Sequence, residues 1–260
     1  MIPKIIHYTW FSGEEMPQVI KDCINSWERF MSDYKYRLWD MNAIKGIDSD
    51  YLREALAARK WAYAADYVRL YALYHEGGIY LDTDVMVFRS FDDLLDNTVF
   101  IGKEDAIHKL MIEDTCAHLL SSHCMGSMPH STYIKNCLRY FDNRHFIVST
   151  DEKLPLILRQ NYVMLPYIQA VIAREYGYDW NPKNQTIQHC KDGLVVFPSD
   201  YFCGFKHLSC SYCRHLVLGS WRKGDFIPSI NQKPRILKMA IWRILERTLL
   251  KLSYVIFKIK

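Results

Sequence analysis

The sequence predicts an α/β sandwich around a largely parallel sheet. Strand-like and helix-like segments alternate through the first hundred residues, the pattern of a sheet covered by helices. The chain has 260 residues, 50% of them hydrophobic and 24% charged, which suits a folded domain with a sizeable core. That composition excludes low-complexity disorder and collagen-like repeats. The aromatic residues (Tyr 18, Phe 12, Trp 7) suit a well-filled core first and a ring- or sugar-binding protein second.

Lys4-Ile-Ile-His-Tyr reads as a short buried strand, and Phe11 to Pro17 as a loop. Gln18 to Phe30 repeats apolar residues near a helical period, Tyr36 to Trp39 is extended, and Tyr51 to Ala58 and Trp61 to Tyr74 are helices. Gly77-Gly78 stops the second of these. Ile79-Tyr-Leu is a strand ending in Asp82-Thr-Asp84, and Val85 to Phe88 is extended again. In sheets of this class ligands sit at the carboxyl ends of strands, where Asp82 and Asp84 fall. Residues 107 to 178 read as a helical middle, 193 to 202 as strand-rich, and 209 to 221 as the closing segment.

The ends have their own character. Met1 leads directly into Ile-Pro-Lys, with no signal-peptide pattern, so a reducing compartment is expected. The eight cysteines are then ordinary thiols; Cys203, His207, Cys210 and Cys213 have only partial zinc spacing. Net charge is +4 overall, but from Asn231 onward eight basic residues face only Glu246, about +7 for the segment. The slightly acidic body that remains is unlike a nucleic-acid binder. Residues 1–234 are expected to form the catalytic domain. Residues 235–260 alternate apolar and basic sides, too often charged for a span, and read as an amphipathic helix on an anionic membrane surface or docked on protein.

The chemistry rests on carboxylates. An extended D-x-D places Asp82 and Asp84 on one face, where both can bind a hard cation such as Mn²⁺ or Mg²⁺ that bridges to a diphosphate. Asp66 and Arg69, three apart on a helix, can pair with each other or face a ligand beside the D-x-D.

Ile2-Pro-Lys-Ile-Ile-His-Tyr-x-Trp-Phe, Ser26-Trp27, Ala65-Asp-Tyr-x-Arg69, Gly77-Gly-Ile-Tyr-Leu-Asp-Thr-Asp84 and Ser220-Trp221 together resemble glycosyltransferase family 32. The strong part of the likeness covers about residues 2 to 95. The resemblance implies a GT-A type, Rossmann-like sandwich, a nucleotide-sugar donor, a divalent metal and retention at the anomeric carbon. It implies Asp84 as direct metal ligand, with Asp82 on ribose and donor sugar and reaching the metal. Asp66 and Arg69 become donor-sugar and diphosphate-side contacts, and Tyr80 lines the nucleotide pocket. Tyr8 to Trp10 form the floor near the base. His215 completes the metal shell, and Ser220 and Trp221 close over the diphosphate. Leu216 stands where relatives often carry a second His.

The implied reaction moves a hexose from a UDP-hexose, or else GDP-mannose, to a hydroxyl of a growing, lipid-linked surface glycan of the capsule or lipopolysaccharide kind. The implied location is the cytoplasmic face of a bacterial inner membrane, or else the cytoplasm. Two other readings compete. A haloacid-dehalogenase-like phosphohydrolase would use Asp82 as nucleophile in Asp82-Thr-Asp-Val85, although some eighty residues precede a motif that normally opens that fold. A non-catalytic subunit of a polysaccharide-synthesis complex would account for the tail and the aromatics.

Overall fold

The computed structural model describes residues 1–110, 115–154, 156–203 and 208–218. The first half runs β1 (Ile5–Thr9), α1 (Gln18–Phe30), β2 (Lys35–Trp39), α2 (Asp50–Ala57), α3 (Trp61–His75), β3 (Gly78–Leu81) and β4 (Val85–Val87). It continues through β5 (Val99–Leu110), β6 (Thr115–Ser127), α4 (Thr132–Arg139), α5 (Leu156–Arg159), α6 (Leu165–Glu175), β7 (Gln188–His189), β8 (Leu194–Phe197) and β9 (Cys213–His215). Seven strands form one sheet in the order β2-β1-β3-β6-β5-β8-β7, and β4 pairs with β9 in a separate ribbon. Strands β1, β2 and β3 run parallel, as do β5 and β8. Strand β6 is antiparallel to both neighbours, and β7 is antiparallel to β8. This is the α/β sandwich expected, with three of the six pairings in the large sheet parallel.

Alternation along the strands builds a core on each face. Tyr80, Val99, Ile101, Leu194 and Val196 join α2, α3, α4 and α6 in one apolar cluster. Ile79, Leu81, Phe100, Val195 and Phe197 join Trp27 and Phe91 in the other. Each large side chain buried this way stabilises the fold by roughly 1.5–3 kcal/mol.

The Gly-Gly turn needs both glycines. Gly77 and Gly78 have φ of +66° and +104°. A Cβ on Gly77 would sit 2.6 Å from Pro129 Cδ, and one on Gly78 2.7 Å from the Ile5 carbonyl oxygen. His7 secures the turn: Trp39 Nε1 donates to His7 Nδ1 at 3.1 Å, so Nε2 carries the hydrogen and donates to the Gly77 carbonyl at 2.7 Å. Burial lowers the His7 pKa and keeps the ring neutral. The Ile-Ile-His string therefore buttresses the turn that delivers β3 to its exit.

The helical middle holds from Thr132 onward, but it is preceded by the long β5–β6 hairpin, whose strands run through the stretch read as helical from 107 to 127. Period-2 pairing across the sheet overrides local helical spacing there. All eight cysteines are free thiols. His207 of the partial zinc spacing, Ser220, Trp221 and the 235–260 segment lie outside the described residues.

Candidate active site

The site gathers at the exit of β3, and α3 supplies its rear wall. Arg69 sits in the middle of that helix with a side chain only 4% exposed. Its Nη2 lies 3.1 Å from Asp66 Oδ1 and 3.3 Å from Asp82 Oδ1. Nε donates to the Ala65 carbonyl at 3.3 Å, Nη1 donates to the Ser122 carbonyl on β6, and the guanidinium stacks 4.5 Å above the Tyr80 ring. One buried cation thus joins two carboxylates, a helix and a sheet strand.

Asp66 also accepts from the backbone N–H of Leu165, the first residue of α6, where a negative charge suits the helix terminus. Burial pushes the Asp66 carboxyl up to about 7; Arg69 opposes that rise and the nearby Asp82 charge adds to it. Asp82 is anchored from below. Its backbone N–H donates to the His123 carbonyl at 2.8 Å, and the Tyr80 hydroxyl donates to Oδ1 at 3.1 Å. Tyr80 is fully buried, and its hydroxyl also meets Thr9 Oγ1 at 3.2 Å. Tyr80, which the resemblance assigns to the nucleotide pocket, contacts Asp82 through its hydroxyl and Arg69 through its ring.

Asp84 is held from the opposite side by the last residue of β9 and the segment that follows it. His215 Nε2 is 3.1 Å from Asp84 Oδ1, and the Leu218 N–H donates to Oδ2 at 2.9 Å. The Leu216 N–H donates to the Asp84 carbonyl at 2.9 Å. Between these two contacts Val217 adopts φ of +52°, a left-handed conformation that a β-branched residue takes only under strain. Burial disfavours charge on both partners, but their mutual hydrogen bond and attraction prevail. The Asp84 carboxyl stays below its ordinary range and the His215 imidazole rises above its own.

Strand β4 is fixed from α1. Trp27 Nε1 donates to the Val85 carbonyl at 2.7 Å, and the Val87 N–H donates to Ser26 Oγ at 2.9 Å. The Ser26-Trp27 pair thereby sets the backbone that leaves the D-x-D and pairs with β9.

Asp82, Asp84 and His215 each present a ligand atom, all within 4.8 Å of one another. Two carboxylates and an imidazole fit a divalent cation of the Mn²⁺ or Mg²⁺ type, which these three residues would hold. Tyr8 and Trp10 sit apart from this cluster's contacts. Tyr8 packs edge-on against Trp27 with ring centroids 5.6 Å apart, and the Trp10 indole N–H donates to the Glu14 carbonyl at 2.7 Å. Sequence reasoning missed Ser122, His123 and the backbone of 216–218. Residues 216–218 fall within the stretch read as the closing segment, but main-chain contacts such as theirs and those of Ser122 and His123 leave no residue-type signal in the sequence.

Residues 17–101 match the family model described as a glycosyltransferase sugar-binding region containing DXD motif. The class this match indicates is a D-x-D glycosyltransferase, and Asp82-Thr-Asp84 at the exit of β3 is the D-x-D within the matched residues. The resemblance to glycosyltransferase family 32 is borne out by this match and by the similarities that follow. Inositol phosphoceramide mannosyltransferase 2 of Schizosaccharomyces pombe is 31% identical over 139 residues, 52% of this chain and 37% of that protein. Mannosyl phosphorylinositol ceramide synthase SUR1 of Saccharomyces cerevisiae is 31% identical over 195 residues, 72% of this chain and 46% of that protein. The chain therefore spans under half the length of these curated relatives. A solved structure titled PaToxG Glycosyltransferase has 18% identity and a TM-score of 0.42, covering 67% of this chain and 69% of that one.

These relatives overturn the bacterial inner-membrane location expected from the sequence, since they are yeast proteins whose names place their chemistry on inositol phosphoceramide. The physical reason is that a D-x-D and a run of basic residues, the features from which that location was expected, are not particular to a kingdom or compartment. Among the described residues no helix is long and apolar enough to cross a membrane.

Proposed function

We propose that this chain transfers a hexose, mannose in the first instance, from a nucleotide-activated donor to a hydroxyl of a lipid-linked acceptor, using a divalent cation at Asp82, Asp84 and His215. The observation that carries the reading is the convergence of those three ligand atoms within 4.8 Å at the exit of β3. Of the two donors the sequence suggests, GDP-mannose moves ahead of a UDP-hexose because the matched relatives are named for mannosyl transfer. Their names also make inositol phosphoceramide the acceptor to try first.

A cation held there would neutralise charge building on the departing nucleoside diphosphate. Asp82 and Asp84 supply the oxygen ligands, and Arg69 with Tyr80 restricts the Asp82 carboxylate through Oδ1. Asp66 lies beside Arg69 at the N-terminus of α6, on the side assigned to the donor sugar. The acceptor hydroxyl attacks from the face the diphosphate leaves, and a phosphate oxygen takes its proton, so configuration is retained. Fixed charges rather than a covalent enzyme intermediate provide the rate. The phosphohydrolase alternative is not favoured, since Asp82 is engaged by Arg69 and Tyr80 instead of standing ready as a nucleophile.

The test is a screen of GDP-mannose, UDP-glucose and UDP-galactose for Mn²⁺-dependent hydrolysis and for transfer to inositol phosphoceramide in micelles. GDP-mannose should be consumed, and Asp84→Ala should slow that by about 10²–10³-fold. Consumption of a UDP-sugar in its place would overturn the donor. Consumption of none would overturn the transferase reading and favour a non-catalytic subunit, and full activity in Asp84→Ala would overturn the cation site at that residue. Residues 235–260 are proposed as an interfacial helix on anionic lipid. Deleting them should abolish sedimentation with phosphatidylserine vesicles, and undiminished sedimentation would refute that role.

A further inference from the structure

Beneath the cation site lies a second histidine that the reaction above does not use. His123, on β6, is buried, and its ring lies 4.4 Å from that of His215, centroid to centroid, at 28° between planes. Its edges are fixed: Nε2 is 3.1 Å from the Phe202 carbonyl oxygen, and Nδ1 is 2.8 Å from Ser121 Oγ. A carbonyl accepts and does not donate, so Nε2 carries a hydrogen and the ring has one orientation. The Cys203 thiol contacts the same nitrogen at 3.6 Å. The His123 main chain meanwhile accepts the Asp82 N–H at 2.8 Å. One residue therefore touches both halves of the site, the D-x-D through its carbonyl and His215 through its ring.

We propose that His123 is a positioning residue, an anchored imidazole platform on which the His215 ring stacks so that Nε2 stays aimed at Asp84 and at a divalent cation. The inference rests on the reading of Asp82, Asp84 and His215 as a cation site and adds the group that orients its nitrogen ligand. Groups that orient a metal-ligating histidine without touching the metal commonly govern affinity through geometry. A flat ring is needed for the stack. Polar edges are needed as well, because Ser121 Oγ and the Phe202 carbonyl are held in the same buried space and an apolar ring would leave them without this partner.

The test uses the full chain and two readouts. Free Mn²⁺ is followed by electron paramagnetic resonance during titration, and the His215 ring nitrogens are followed by NMR in the metal-free protein. His123→Ala should weaken Mn²⁺ binding about 10–100-fold and shift the His215 resonances. His123→Phe, which restores a flat ring without its polar edges, should recover only part of the affinity. Ser121→Ala, which frees one edge of the platform, should weaken binding less than His123→Ala and serves in its place if that variant does not fold. Unchanged Mn²⁺ affinity and unchanged His215 resonances in folded variants would overturn the proposal. Should the wild-type chain bind no Mn²⁺, the cation reading falls, while the His215 resonances still decide whether His123 orients that ring.

Discussion

The two aspartates of the D-x-D are separated by one residue, yet they are held by regions built in different ways. Asp82 belongs to a local assembly: Asp66, Arg69 and Tyr80 all come from the short α3–β3 stretch, and Arg69 is nearly sealed from solvent. Asp84 is clasped by chain far downstream, with the Leu218 N–H donating across 134 residues and a strained Val217 beside it. The first region is a buried charge network that the fold depends on. The second is a clasp in which one imidazole and the Leu218 N–H meet the Asp84 carboxylate while the Leu216 N–H holds its main-chain carbonyl. The same motif thus joins a structural half to a half that can be altered without dismantling the core.

The sharpest way to break that contrast is Arg69→Met. Removing one partner of a buried charge network costs about 3–5 kcal/mol, because Asp66 and Asp82 would then face each other without their shared cation. Urea unfolding should show that loss, and a stability near wild type would mean the network is not structural. Asp84→Asn should do the reverse. Turnover should fall by about 10²–10³-fold while the urea midpoint stays close to wild type, since Asn can still accept from Leu218. A large stability loss in that variant would erase the distinction between the regions.

Smaller effects sharpen the picture. Val217→Gly relieves a left-handed β-branched residue and should be neutral or stabilising by about 1 kcal/mol in the metal-free chain, read by thermal melting. A clear destabilisation would show that the Val217 side chain, not the backbone around it, holds the clasp. The exposed pair of His145 Nδ1 and Glu54 Oε1, 2.7 Å apart, is the solvent-facing counterpart of His215 and Asp84. The Glu54 hydrogen bond and charge raise the His145 pKa above its ordinary 6.5. Its stabilising contribution is therefore complete below about pH 6.5 and is lost as pH rises through the folded value. Melting temperatures at acid and alkaline pH should differ slightly less in His145→Gln than in wild type, and an equal difference would show the pair has no pH-dependent effect.

Legibility in the sequence follows the same divide. Helix α1 falls where its apolar spacing places it, and α2, α3, β2 and β3 lie within a residue or two of expectation, because side-chain period and glycine punctuation act over a few residues. Asp66 and Arg69 were readable as a pair for the same reason. Tyr80 was readable as a residue of the motif but not as a buried strut, since its burial depends on α3 lying across β3. The hairpin of β5 and β6 was hidden, because its pairing across the sheet leaves no decisive trace in local spacing.

By itself the sequence determined a strand that ends in two carboxylates, a helix that carries Asp66 and Arg69 three residues apart, and a pair of glycines that stop that helix before the strand. Those features lie within reach of neighbouring residues, where torsional preference and periodicity suffice. Tertiary structure decided that His215 and the backbone beyond it close on Asp84, that Tyr80 turns inward, and that His123 lies under the imidazole of His215. Each of these needs segments distant in the chain to meet in a close-packed interior, and such a meeting is set by the packing of the whole sheet and its helices.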